Sequence, residues 1–138
     1  MFQLTPLPIN ISYWIQLAQR PEIGAMELFI GMTRNHKEDQ GILALYYEAY
    51  EEMVGISALS LEKTIKERYP SIQELVIIHR TGSVPVMEPS LLVIITASHR
   101  KSLFQAMDEC VDLIKKNLPI WKKGIYEDGH EQWLTNQF

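Results

Sequence analysis

Apolar residues recur along this chain with two different periods, and the switches between them mark out the elements. Val54, Ala58, Leu61, Ile65 and Tyr69 stand three or four residues apart, the spacing of one helical face. They predict a long helix from about Glu51 to Arg68, ended by Pro70. Leu103, Met107, Cys110, Val111 and Ile114 predict a second long helix. Ser102 with Gln105 three residues on is a capping-box pattern at its start. A shorter helix follows Asn10, a good N-cap, with Ile11, Trp14, Ile15 and Ala18 on its apolar side.

Other stretches have strand character. Leu75 to His79 and Leu91 to Thr96 are continuous apolar runs, which predict strands covered on both faces. Ala25 to Gly31 and Ile42 to Tyr47 read as two more strands. Phe2 to Pro8 reads as an edge strand, because Pro6 and Pro8 lack the N–H that a central strand needs. Ile120 to Tyr126 and Gln132 to Leu134 read as a hairpin around Asp128-Gly129. Thr33 to Gly41 is polar and reads as a loop, and Gly82 to Pro89, with two prolines, as a turn or bulged connection. The connections are too short for a regular doubly wound sheet, so the fold class expected is α+β, in a single domain over 1–138.

Composition narrows the function classes. A net charge of -4 argues against general nucleic-acid binding, yet leaves room for a few cations focused in a cleft. No apolar run approaches membrane-spanning length, and the N-terminus lacks the pattern of a signal peptide. The single cysteine, Cys110, excludes an internal disulfide and fits a reducing compartment, so a cytoplasmic protein is expected.

Cations cluster late in this acidic chain. Lys115 and Lys116 precede Pro119-Ile120-Trp121, and Lys122 and Lys123 follow it. Pro119 stops the helix, so the chain must turn, and the turn can bring Lys115 back towards Lys122. Two ammonium groups held close make most sense around an anion. Lys115 has two readings, a solvated helix end paired with Asp112 or a side chain aimed into a cleft from the edge of the apolar face. Lys116 reads as the former. Lys122 and Lys123, adjacent on a strand, should point to opposite faces. Trp121 is either core or contact with a partner. His99 and Arg100 stand between a strand and a helix start, a place that suits anion binding but also a capping or core histidine and a surface charge. Arg34 opens the polar loop after Gly31 and is either solvated or a phosphate clamp. His79-Arg80 ends a strand with no helix after it and reads as structural. His36, His79, His99, His130 and Cys110 show no metal-ligand spacing, Cys110 falls on the core stripe, and no phosphate-binding glycine loop or nucleophile elbow is present.

These segments in order resemble the large, catalytic subunit of molybdopterin synthase. The matching pieces are Phe29-Ile30-Gly31-Met32-Thr33-Arg34-Asn35-His36, Leu45 to Met53, Ile78-His79-Arg80-Thr81-Gly82, Ser98-His99-Arg100, Asp112 to Lys115, Pro119 to Lys123, and Asp128-Gly129 before Trp133. The resemblance implies an α/β hammerhead fold and a homodimer. A small ubiquitin-like subunit would dock at each end, its Gly-Gly C-terminus carrying a thiocarboxylate. The reaction implied moves two sulfurs to cyclic pyranopterin monophosphate, with no cofactor and no metal. The family's essential lysines fall on Lys115 and Lys122, and its anion-binding residues on Arg34, His99 and Arg100, with Thr33 and Lys123 beside them. Met87-Glu88-Pro89 stands where that family's turn usually carries Gly-Glu and a small residue, which predicts a different backbone there. Gly124 replaces a common acidic residue, and the tail after Trp133 lacks an arginine that some members extend into the neighbouring site. The rival readings are a non-catalytic anion-binding or scaffold subunit of the same fold, and an unrelated enzyme using a lysine Schiff base.

Overall fold

The computed structural model describes residues 1–35 and 41–135. In chain order these form β1 (Phe2–Thr5), α1 (Ile11–Ala18), β2 (Ala25–Met32), β3 (Ile42–Ala49), α2 (Glu51–Arg68), β4 (Ile72–Arg80), β5 (Gly82–Pro85), β6 (Pro89–Ala97), α3 (Leu103–Asn117), β7 (Ile120–Tyr126) and β8 (Glu131–Leu134). The middle of the polar loop, from His36 to Gln40, and the tail from residue 136 lie outside the described residues.

The strands make two four-stranded sheets, ordered β1-β4-β6-β2 and β5-β3-β7-β8. In the first, β1 lies parallel to β4 at the edge and ends just before Pro6, and the other pairings are antiparallel. The continuous apolar runs have the expected cause. Leu75 and Ile77 of β4, with Leu91, Val93 and Ile95 of β6, face α2 and α3. Val76, Ile78, Leu92 and Ile94 point the other way, into a second core closed by Ile9, Ala18, Trp14 and Ile15 around α1. Each such side chain contributes about 1.5–3 kcal/mol on burial, so this double-sided sheet is the rigid floor of the molecule. Helices on both faces of a largely antiparallel sheet, with a second antiparallel sheet alongside, agree with the α+β expectation.

Three local expectations change. The segment from Gly82 to Pro89 is more than a turn: its first half is β5, paired antiparallel to β3 with Leu45 opposite Val84. Gly82 takes φ 78°, a value open to glycine, and so redirects the chain from one sheet to the other. Met87 takes φ 75°, so this turn adopts the left-handed backbone that a glycine would favour, and methionine bears a strain of about 1–3 kcal/mol there. At α3 the capping box does not form. Ser102 is left-handed at φ 66° with no side-chain cap, and the helix is closed instead by the Leu103 amide donating to the Arg100 carbonyl at 3.1 Å. By contrast, Asn10 caps α1 as expected, accepting from the Tyr13 amide at 3.1 Å.

Gly24 positions the segment after β6. A Cβ here would collide with the Ser98 carbonyl, so only glycine lets the β2 entry lie against the bend that carries His99 and Arg100.

Candidate active site

A hollow of about 830 Å³ opens where the two sheets meet the C-terminal end of α3. Its cationic lining residues are Arg34, Lys115 and Lys122. Arg34 comes from the segment after β2, Lys115 from the last turn of α3, and Lys122 from the middle of β7. The turn at Pro119 thus has the effect expected of it: Leu118 ends the helix, its amide bonding the Ile114 carbonyl at 3.1 Å, and the chain re-enters as β7 against β3. Ile114, Leu118 and Ile120 are buried and form the apolar wall between the two lysines.

Register determines which β7 lysine faces the hollow. Tyr47 pairs with Lys122 and Tyr46 with Lys123. Lys122 therefore shares a face with Tyr47, which lines the hollow, and Lys123 lies on the other face. There Lys123 bonds Glu131 at 2.9 Å and sits over the rings of Tyr46 and Trp133. The expected place of Lys123 beside the anion site is not found within one subunit. Glu131 holds its ammonium above the usual lysine range, chiefly through that hydrogen bond. Trp121 is 52% exposed, which removes the core alternative.

Thr33 is also placed apart. It is buried, and its backbone clamps the following turn, its amide donating to Glu88 at 3.1 Å and its carbonyl accepting from Met87 at 3.0 Å. Its Oγ1 has no partner among the described residues. Thr33 holds the base of the Arg34 segment and does not line the hollow.

His99 and Arg100 are the largest departure. The hollow touches β6 at Ser90 and Leu91, whereas His99 and Arg100 follow Ala97 at its other end. At about 3.3 Å per residue the stretch from Leu91 to Ala97 spans about 20 Å. One subunit does not bring them to the lysines, and both are exposed.

Several lining groups were not anticipated. Tyr47 donates to Ser90 Oγ at 3.3 Å, and Ser90 in turn to the Gly31 carbonyl at 3.4 Å. Burial raises the Tyr47 phenol above its ordinary value, the Ser90 bond opposing, so it stays protonated. His79 also lines the hollow, although its sequence position marked it as structural. Cys110 is buried in the α3 core and burial pushes its thiol up to about 12, so it is packing rather than a sulfur carrier. Gly124 is walled by the Tyr126 ring, which a Cβ would meet at 2.8 Å, so the acidic side chain absent here would have no room in this packing. Among the described residues there is no group of metal-binding side chains and no helix long and apolar enough to cross a membrane.

Chemically, the hollow has three cations of which two are lysines, a polar Tyr-Ser-carbonyl relay and an apolar wall. Such a site can hold anions in a partly dry setting and move protons.

Comparison with known proteins gives concordant matches. A family model described as MoaE protein matches residues 4–117. The molybdopterin synthase catalytic subunit of Dictyostelium discoideum is 39% identical over 130 residues, covering 93% of this chain and 82% of that one. The crystal structure of molybdopterin synthase from Staphylococcus aureus superposes with a TM-score of 0.89 at 28% identity, over 96% of each chain. A complex of subunits 1 and 2 of molybdopterin-converting factor from Helicobacter pylori 26695 shares the fold, with a TM-score of 0.82 at 18% identity over 99% of this chain and 91% of that one.

Proposed function

Because the chain belongs to the MoaE family, whose relatives are molybdopterin synthase catalytic subunits, we propose that its hollow is where two sulfurs pass in turn, one from each of two protein thiocarboxylates, to cyclic pyranopterin monophosphate. The chain is a sulfur-transferring enzyme of molybdenum cofactor biosynthesis. The observation that carries the site assignment is the meeting of Arg34, Lys115 and Lys122 around one hollow. Both reactants are anions, and each needs a donor to offset its repulsion from the other.

Arg34 fixes the substrate phosphate. Lys122 holds the substrate or orients the incoming thiocarboxylate against it. Lys115 exchanges protons with the reacting atoms or stabilises the charge that builds as sulfur is transferred. His99 and Arg100 serve the same phosphate from a second copy of this chain, since their own subunit's hollow lies at the far end of β6. A homodimer therefore completes the site. Exposed Ile30 and Met32 rim the hollow, as suits a surface that another chain covers. The donor is a small ubiquitin-like subunit whose Gly-Gly tail enters the hollow, and the two subunits in the Helicobacter pylori complex support that pairing. The reducing cytoplasm suits a thiocarboxylate.

The test is reconstitution: this chain, a thiocarboxylated small subunit and cyclic pyranopterin monophosphate are mixed, and dithiolene product is assayed. Product is expected in proportion to thiocarboxylate consumed, two per pterin. A stable complex without product would leave the non-catalytic scaffold reading in its place.

A further inference from the structure

The hollow's charged side chains, Arg34, Lys115 and Lys122, are all hydrogen-bond donors. A pterin presents donors of its own, an amino group and ring N–H groups, and these require acceptors. His79 is placed to supply one. It stands near the end of β4 with 6% of its surface exposed, and it lines the hollow. Its ring meets that of Tyr47 edge-on, centroids 4.9 Å apart at 67°. Its Nδ1 lies 2.8 Å from the Arg80 carbonyl. A carbonyl only accepts, so Nδ1 carries the proton and Nε2 the lone pair. Burial pushes the imidazole down to about 4, the Arg80 bond opposing and the Lys122 charge adding to the fall, so the ring is neutral at working pH.

We propose that His79 is a substrate-binding residue whose Nε2 accepts a hydrogen bond from an N–H of the pterin. The assignment rests on the sulfur-transfer reading of the hollow. It gives the site a direction: phosphate and thiocarboxylate go to the cations, and the donor edge of the pterin goes to the one imidazole lone pair on the wall. A lone pair there also repels an anion bound in the reverse sense.

Two substitutions separate this role from a structural one. Gln sets an amide oxygen near the place of Nε2, and Asn sets an amide nitrogen near the place of Nδ1. His79→Gln is expected to keep KM for cyclic pyranopterin monophosphate within about threefold, whereas His79→Asn raises it about tenfold, with kcat changed far less. A histidine needed only for its Arg80 bond gives the opposite order, which would overturn the proposal. The Asn penalty is expected to persist in a Lys122→Met background; its disappearance there would assign the lone pair to the lysine and sink the idea. A measurement on the unmutated protein needs neither turnover nor a folded variant. In long-range ¹H–¹⁵N spectra, His79 should appear as the neutral Nδ1–H tautomer, and its Nε2 signal should move when the pterin is added without the small subunit. Pterin bound, by calorimetric titration, with Nε2 unmoved contradicts the role of His79 and leaves sulfur transfer standing; no pterin binding at all counts against both.

Discussion

Lys115→Ala is expected to lower the rate of dithiolene formation by about 10²–10⁴-fold, the range for losing a group that moves a proton or stabilises charge in the transition state. The side chain comes off the last turn of α3, one residue beyond the buried Ile114, and is itself exposed. Its removal opens no core cavity, so the melting temperature should stay within about 2 °C. Substrate affinity should change far less than kcat, because an interaction strongest in the transition state contributes little to the ground state. Single-turnover kinetics with thiocarboxylated small subunit, beside a thermal melt, checks both halves. Near-normal turnover would remove Lys115 from the chemistry.

The second large effect concerns binding, and it contrasts adjacent lysines. Lys122→Ala and Arg34→Ala should each weaken binding of cyclic pyranopterin monophosphate by about 10–100-fold, the loss of one charge-assisted hydrogen bond. The remaining affinity should depend less on salt, since screening acts on the charges that are left. Lys123→Ala should leave affinity within about twofold, because that side chain is engaged with Glu131 on the opposite face of β7. Calorimetric titrations at two ionic strengths measure all three variants. Equal effects at 122 and 123 would mean that charge near the hollow matters and the β7 register does not.

The contrast between Lys122 and Lys123 shows how far the sequence could be read. Strand periodicity requires adjacent lysines to face apart, and that much was legible. Which one faces the hollow depends on pairing with β3, a long-range choice that a local pattern does not encode. Helices follow the same logic. The extent of α2 was legible because apolar spacing and Pro70 act within a few turns. The start of α3 was legible but its capping was not, since Ser102 takes a left-handed backbone and the Leu103–Arg100 bond closes the helix in place of a side-chain cap. β5 was missed because its few residues carry two turn formers, and only β3 makes them a strand. The place of His79 on the hollow was not legible for a related reason: nothing in the dipeptide His79-Arg80 tells that Tyr47 and Lys122 arrive beside it from another sheet. His99 and Arg100 were linked with the lysines by family resemblance alone. Within one chain β6 separates them, and the proposed homodimer would reunite them.

That division of the site between two chains can be tested by mixing inactive partners. Lys115→Ala subunits and Arg100→Ala subunits, each nearly inactive alone, are unfolded together, refolded and assayed for dithiolene, with mixed dimers confirmed by native mass spectrometry. Random pairing makes half the dimers mixed. Each mixed dimer has one site carrying both defects and one carrying neither, so about a quarter of the wild-type activity should return. Mixed dimers that form and remain as inactive as the parents would contradict an anion receptacle built from both subunits.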